Sequence, residues 1–351
     1  MGTSSVGRPS SNVLVVNAMS LTYQNAGVDI DAGERLVDRI KPMVRRTVTP
    51  GVMSDVGLFG GLFDARFEGY EHPVIVASTD GVGTKLKVAF LADSHTTIGT
   101  CLVNHCVNDI LACGAKPLFF LDYFATGKLS VDVAADVVSG LAAGCEENGC
   151  ALLGGETAEM PSMYASGEYD LAGTIVGVVE KSHILNGSRV GIGNVLIGLP
   201  SNGLHTNGYS LARAALFPRY SVHDYIDDLG MTLGQALLAT HKSYYRVLWP
   251  VLQSGRINAL AHITGGGLVG NTSRVLGPNM ALRIAWGSWS IPPIFELIQK
   301  AGGVEDEEMR RAFNLGVGMV AIVEAAAAQG VLDDLRDHGA FVVGEVVAAG
   351  A

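Results

Sequence analysis

Apolar positions along the chain fall into two patterns. Continuous apolar runs rich in Val, Ile, Leu and Phe predict buried strands over 74–77, 118–125, 151–153, 170–180, 195–199, 281–285, 318–323 and 341–347. Apolar positions recurring at three- and four-residue intervals predict helices over 100–112, 211–216, 233–252 and 267–276, and one after Ser130 that ends near Gly149. In the segment 100–112 the stripe is Leu102, Val103, Cys106, Val107, Ile110 and Leu111, so Asn104, His105, Asn108 and Asp109 fall off it.

Around 181–193 the pattern lapses into polar and glycine-containing sequence, which marks a domain boundary. The alternation of strands and helices on either side predicts an α+β chain of two mixed α/β sandwiches. The expected division is a flexible N-terminal extension over 1–19, with Met19 as an alternative start, a first domain over 20–184 and a second over 185–351. A length of 351 residues fits two cores better than one.

Composition narrows the possible partners. Hydrophobic residues make up 48% and charged residues 17%, the balance of a compact globular protein. A net charge of -10 without a basic cluster argues against nucleic acid, and no apolar run has the length of a membrane span. Five cysteines, an odd number without Cys-x-x-Cys spacing, read as reduced thiols in a cytoplasmic protein. Glycine is abundant, 45 residues, and clustered at 57–61, 81–83, 154–155, 265–267 and 316–318, so loops are expected at element ends.

Candidate chemistry gathers where strands run out. The strand over 74–77 leads into Asp80, Gly81, Gly83, Thr84 and Lys85: a carboxylate, two glycines that admit close backbone approach, a hydroxyl and an ammonium. This suits a metal-bound phosphate, although a plain tight turn would read the same way; neither the Walker A spacing nor the dinucleotide fingerprint is present. A second acidic turn follows 151–153 and carries Gly154, Gly155, Glu156, Thr157 and Glu159. Asp80, Asp109 and Glu156 are the oxygen ligands that Mg²⁺ would use, the alternative for Asp109 being a pair with His105 one helical turn away. Cys101, His105 and Cys106 lack the four-ligand spacing of a zinc site. In the second half, Asn202, His205, Asn207 and Ser210 lie on a loop before a helix, where an anionic group would be at home and His205 is the available proton carrier. Thr264, Gly265, Gly266 and Gly267 form a second possible amide cradle.

The strings 23–33, Ser78 to Lys85, Cys106-Val107-Asn108-Asp109, 117–123, Gly154 to Pro161, His205 to Leu211 and Thr264 to Gly267 closely resemble the phosphoribosylformylglycinamidine cyclo-ligase (aminoimidazole ribonucleotide synthetase) family, in order and spacing, from about Ser20 onward. The resemblance implies ATP-dependent ring closure of formylglycinamidine ribonucleotide in purine biosynthesis, with ATP and Mg²⁺ required. It also implies a homodimer whose N-terminal domains meet in a β-barrel-like interface, an α/β C-terminal domain, and an active site in the cleft. Carried over by position, Asp80, Asp109 and Glu156 face Mg²⁺ and the ATP phosphates, and Lys41 is near the nucleotide. Gly81, Gly83, Thr84, Lys85, Asn108, Gly154, Gly155 and Thr157 join them on the ATP side. Glu159, Asn202, His205, Asn207, Ser210 and 264–267 take the substrate, with His205, Asp80 and Lys85 catalytic. Departures are the extension before Ser20, His105 and Cys113. Another ATP-using member of the wider superfamily, such as a kinase or synthetase, and a non-catalytic nucleotide-binding module are the alternatives.

Overall fold

The computed structural model describes Tyr23 and residues 26–55 and 60–350; the extension over 1–19 and the glycine cluster's start at Gly57 lie outside the described residues. The chain first forms α1 (Ile30–Arg46), β1 (Pro73–Gly81), α2 (Lys85–Ala92), α3 (Thr96–Ala112), β2 (Lys116–Thr126), α4 (Val131–Asn148), β3 (Ala151–Glu159) and β4 (Tyr169–Glu180). After the polar segment come β5 (Val195–Pro200), α5 (Tyr209–Leu216), the short pair β6 (Tyr225–Ile226) and β7 (Met231–Thr232), α6 (Leu233–Leu237), α7 (Tyr245–Gln253), β8 (Ile257–His262) and α8 (Gly267–Thr272). The last elements are β9 (Met280–Ile284), α9 (Pro293–Gly302), α10 (Asp306–Ala312), β10 (Val317–Val323), α11 (Ala325–Asp334) and β11 (Phe341–Ala348).

The first sheet has the order β1-β4-β2-β3, antiparallel except for the β2/β3 pair. The helices α3 and α4 cover one face, and they approach closely because neither Gly99 nor Gly140 has a side chain. A Cβ at Gly99 would stand 2.2 Å from the Val137 carbonyl oxygen, and one at Gly140 equally near that of Thr96. The opposite face carries Ile75 and Tyr123 exposed. The second sheet, order β8-β10-β5-β11-β9, is antiparallel throughout, and its interior strand β10 is buried along its whole length. Two sheet-and-helix units thus give the expected mixed α and β content; the larger apolar core is continuous through both halves and a smaller one lies in the second half alone.

Several boundaries differ from the pattern-based reading. The first acidic turn is strand: β1 continues through Asp80 to Gly81, because β4 supplies a partner to its end, Gly81 opposite Ala172. The second is strand as well, since β3 pairs with β2 through Glu159. The expected helix over 233–252 is broken into α6 and α7 by residues 238–244, and that over 267–276 shrinks to α8 and a 3₁₀ turn. Ser130 occupies the N-cap of α4 without making a side-chain capping bond. Pattern reading missed α2, α9, α10 and α11, as well as α1, whose N-cap Asp29 accepts from Ala32 N at 3.0 Å, and β8, whose residues are buried on both faces and show no alternation. Among the described residues no helix is long and apolar enough to cross a membrane.

Candidate active site

The helix α3 lies between the two sheets, and this explains the residues off its apolar stripe. Asn104, His105 and Asn108 are buried, against the simple expectation for an amphipathic helix, because α3 also packs on the second sheet's β8. Asn108 spends its amide on the segment between α6 and α7: Tyr244 N donates to its Oδ1 at 3.0 Å, and its Nδ2 donates to the Lys242 carbonyl at 2.8 Å.

Asp80, at the end of β1, and Asp109, on α3, converge at this junction. His105 Nε2 donates to Asp80 Oδ2 at 2.6 Å and stands 3.9 Å from Asp109 Oδ2, so the local His105–Asp109 pair is the weaker of its two contacts. Asp109 Oδ1 receives His262 Nδ1 at 2.8 Å, and Ser78 Oγ donates to its Oδ2 at 3.2 Å. Burial, the largest single influence, would raise the Asp80 carboxyl, but the bond and charge interaction from His105, the Gly81 N–H and His262 together hold the group below the usual range. Burial is also the largest influence on Asp109 and opposes its ionised form, yet the bond and charge interaction from His262, with His105 adding, lower the group on balance. Two ionised carboxylates this close, each oriented by a histidine, are oxygen donors suited to a hard divalent cation.

Beside the pair, Gly83 and Thr84 are exposed and nothing stands within 4 Å of where a Gly83 side chain would begin. Gly81 N is engaged by Asp80 Oδ1 at 2.8 Å. Thr84 Oγ1 lies 3.1 Å from Ser210 Oγ, so the first loop touches the second-half loop that carries Asn202 and Asn207. The open backbone at 83–84 and the carboxylate pair share one edge of the cleft.

Other expected members do different work. Lys85 does not offer its ammonium to a ligand: its side chain is fully buried, and Nζ donates to the carbonyls of His205 (3.0 Å) and Ala239 (2.7 Å) and to Cys101 Sγ (3.1 Å). His205 is not an exposed loop histidine. It is 1% exposed, has φ 61°, and its ring stacks on His241 with centroids 4.1 Å apart. Burial, with neighbouring histidines and Lys85 adding, drives its pKa well below the ordinary value, so the ring is neutral and the expected proton carrier near pH 7 is not found there. Gly318 leaves it room, since a Cβ would stand 2.7 Å from His205 and 1.9 Å from the Tyr244 hydroxyl.

Glu159 also departs from the expected substrate role. Its two oxygens accept the backbone N–H groups of Asp29 (2.7 Å) and Leu129 (2.8 Å) and tie α1 to the first sheet. In the triple glycine, Gly266 N and Gly267 N already donate to the Arg311 and Thr264 carbonyls, so the cradle is half closed. Asn271 clamps it through the carbonyls of Thr264, Gly265 and Gly267.

Glu156 is not beside Asp80 and Asp109. It sits on edge strand β3, at the far side of the sheet from β1, three strand spacings or roughly 14 Å away. With Gly154, Gly155 and Thr157 it borders a cavity of about 280 Å³ under α1, the helix that carries Lys41; Lys41 Nζ pairs with Asp38 Oδ1 at 2.9 Å. Asp122 lines the same cavity, its carboxyl pushed up to about 7 by burial, with Glu156 adding to the rise. The expected ATP-side residues therefore divide, within one chain, between the cleft and this cavity.

Models of AIR synthase related protein match both halves, the N-terminal domain over 65–179 and the C-terminal domain over 191–351. Curated phosphoribosylformylglycinamidine cyclo-ligases are similar nearly end to end. That of Trichlorobacter lovleyi is 52% identical over 93% of this chain and 94% of its own, and that of Sorangium cellulosum 53% over 95% and 97%. The chain belongs to the phosphoribosylformylglycinamidine cyclo-ligase family. Solved structures share the fold at low identity. A thiamine-monophosphate kinase from Stenotrophomonas maltophilia K279a aligns with TM-score 0.65 and 16% identity over 88% of this chain and 93% of that one. A hydrogenase maturation protein HypE in complex with ATP aligns with TM-score 0.61 and 20% identity over 91% and 87%.

Sequence reading missed Ser78, His241 and His262 at the cleft. His262 ends a strand two residues before Thr264, the same strand-exit signal that singled out Asp80, but the strand itself went unread. His241 had no local signal at all, lying in what read as continuous helix.

Proposed function

We propose that the chain closes the imidazole ring of formylglycinamidine ribonucleotide at the expense of ATP, giving 5-aminoimidazole ribonucleotide, ADP and phosphate. The observation that carries this is the ionised Asp80–Asp109 pair beside the open 83–84 backbone, in a chain half identical to curated cyclo-ligases over nearly all its length.

An amide oxygen is a poor leaving group. The formyl oxygen of the substrate therefore takes the γ-phosphoryl group, an O–P bond forming as the bond to ADP breaks, and loss of the formamide N–H proton gives an iminophosphate. The amidine nitrogen then attacks the same carbon, phosphate departs with the C–O electron pair, and the nitrogen loses a proton. Attack within one molecule gains from effective molarity, which leaves the protein to position groups and neutralise charge.

Asp80 and Asp109 would hold Mg²⁺, which when bound supplies positive charge to phosphate oxygens. The two histidines that hydrogen-bond them keep both carboxylates ionised and oriented. Gly81, Gly83 and Thr84 would admit the phosphates, and the loop with Asn202, Asn207 and Ser210 would meet the ribonucleotide across the cleft. In this reading the 20–184 half binds ATP and dimerises, the 185–351 half takes the substrate, and the protein works in the cytoplasm. Two subunits joined through the uncovered sheet face in a barrel-like interface, with a two-fold axis along the barrel, would set a β3 edge beside a β1 edge. That would bring the Glu156, Thr157 and Lys41 region to the Asp80–Asp109 pair.

The test is direct. Purified protein with formylglycinamidine ribonucleotide, ATP and Mg²⁺ should yield aminoimidazole ribonucleotide and ADP in equal amounts, and Asp80→Asn should fold yet lose turnover. ADP release without the imidazole product would point to another ATP-using activity on this fold, and nucleotide binding without either product to a binding module.

A further inference from the structure

Three histidines from distant parts of the sequence meet behind the carboxylate pair. His105 comes from α3, His241 from the segment between α6 and α7, and His262 from the end of β8, and one ring nitrogen of each lies within 4.8 Å of the others. All three rings are buried. Their centroids form a nearly equilateral triangle, 5.1 Å for His105–His241, 5.1 Å for His105–His262 and 5.2 Å for His241–His262. Three imidazoles around a tetrahedral ion with metal–nitrogen bonds of about 2.05 Å have ring centres roughly 5.2 Å apart and nitrogens roughly 3.3 Å apart. His241 Nε2 and His262 Nε2 are 3.1 Å apart.

We propose that His105, His241 and His262 form a binding site for a borderline divalent transition metal of the zinc class, clamping α3 of the first half to the second half of the chain. The outer contacts are those of a metal-bound histidine set. Asp80 Oδ2 takes the Nε2–H of His105, and Asp109 Oδ1 takes the Nδ1–H of His262, which fixes both rings and leaves His262 Nε2 as a lone-pair donor. The rotatable hydroxyl of Thr206 stands 2.6 Å from His105 Nδ1, and Asn108 Nδ2 stands 3.3 Å from His241 Nε2; a bound ion would take the place of both contacts. Imidazole nitrogen prefers zinc-class ions, whereas Mg²⁺ prefers the carboxylate oxygens in front, so the two sites select different metals. The proposal is independent of the reaction assigned above.

The probe is Zn²⁺ alone, added to chelator-stripped full-length protein in millimolar Mg²⁺ and measured by competition with a chromophoric chelator and by elemental analysis. One Zn²⁺ per chain is expected, with an upward shift in melting temperature, and His241→Gln should weaken binding by about 100-fold or more. Co²⁺ on the wild-type protein should give the intense visible bands of tetrahedral coordination, a readout that stands even where a variant folds poorly. Asp80→Asn, which removes an expected Mg²⁺ ligand, should retain one Zn²⁺ per chain. No stoichiometric uptake, displacement by millimolar Mg²⁺, a weak octahedral Co²⁺ spectrum, or equal affinity in well-folded His241→Gln would each overturn the site.

Discussion

Asp80 Oδ2 and His105 Nε2 lie 2.6 Å apart, joining the end of β1 to the middle of α3. The Asp80 carboxyl therefore ionises more readily in the folded protein than in the unfolded chain, despite its burial. A depressed carboxyl contributes stability above its unfolded value near 3.9 and loses it as pH falls through the lower folded value. His105→Gln removes the main contact that lowers the carboxyl and leaves the bond from Gly81 N to oppose burial. The expected outcome is lower stability than the wild type near neutral pH, the difference shrinking as pH falls, so that the variant shows a shallower acid limb when unfolding is followed by circular dichroism. An unchanged acid limb would mean that the contact adds nothing to the folded state.

Lys85 makes a different prediction from the one its sequence position suggests. Its three ammonium protons go to Cys101 Sγ and the carbonyls of His205 and Ala239, so it holds the second-half loops to the start of α2. Lys85→Met preserves bulk but leaves the Ala239 carbonyl without its donor and the His205 carbonyl with the Tyr209 hydroxyl alone, and should cost about 2–4 kcal/mol. Urea denaturation measures this, and Lys85→Met with wild-type stability would return the residue to a ligand-binding role.

The same contrast between cause and position runs through the whole comparison of sequence with structure. Strands such as 118–125 and 318–323 were legible because a continuous apolar run needs burial whatever its neighbours are. Asp80 and Asp109 were legible as acids at a strand exit and on a helix. What was not legible was where partners lie. Glu156 reads as a third ligand in one dimension, yet sheet order puts β3 at the opposite edge from β1. His205 reads as an exposed loop base, yet a glycine over a hundred residues later, Gly318, makes the space that buries its ring. His241 joins the cleft only because 238–244 leaves the helix, with Cys101 Sγ accepting His241 N at 3.3 Å.

Asp122 should make stability depend on pH in the opposite sense to Asp80. Its folded value of about 7 lies above the unfolded one near 3.9, because burial disfavours the charged form. The folded protein then binds more protons than the unfolded chain between these values, so stability falls as pH rises through this window and levels off above about 7. Asp122→Asn removes the titration and keeps the shape against Gly155, where Asp122 Oδ1 lies 2.2 Å from where a Cβ would stand. Relative to the wild type the variant should gain about 1–3 kcal/mol between pH 4 and pH 8, discounted for partial exposure. A constant difference across that range would place the Asp122 carboxyl in the ordinary range.

The uncovered face of the first sheet predicts assembly. Strand alternation sends Ile75 and Ala77 of β1 and Tyr123 of β2 to the side away from α3 and α4, and Ile75 is 55% and Tyr123 41% exposed. Large apolar side chains on a contiguous sheet surface are stable in water only when something covers them, and a second copy of the same face is self-complementary by symmetry. A homodimer burying more than about 1,000 Å² in total is expected at micromolar concentration. Ile75→Asp with Tyr123→Asp places charge at its centre without touching either sheet's helix-facing core, so the doubly substituted chain should sediment as a 36.7 kDa monomer while keeping its secondary structure. If dimerisation brings the β3 edge to the Asp80–Asp109 pair, turnover should disappear in parallel with the dimer as the protein is diluted. A monomeric wild type, or a monomeric variant with full activity, would detach the catalytic site from this face.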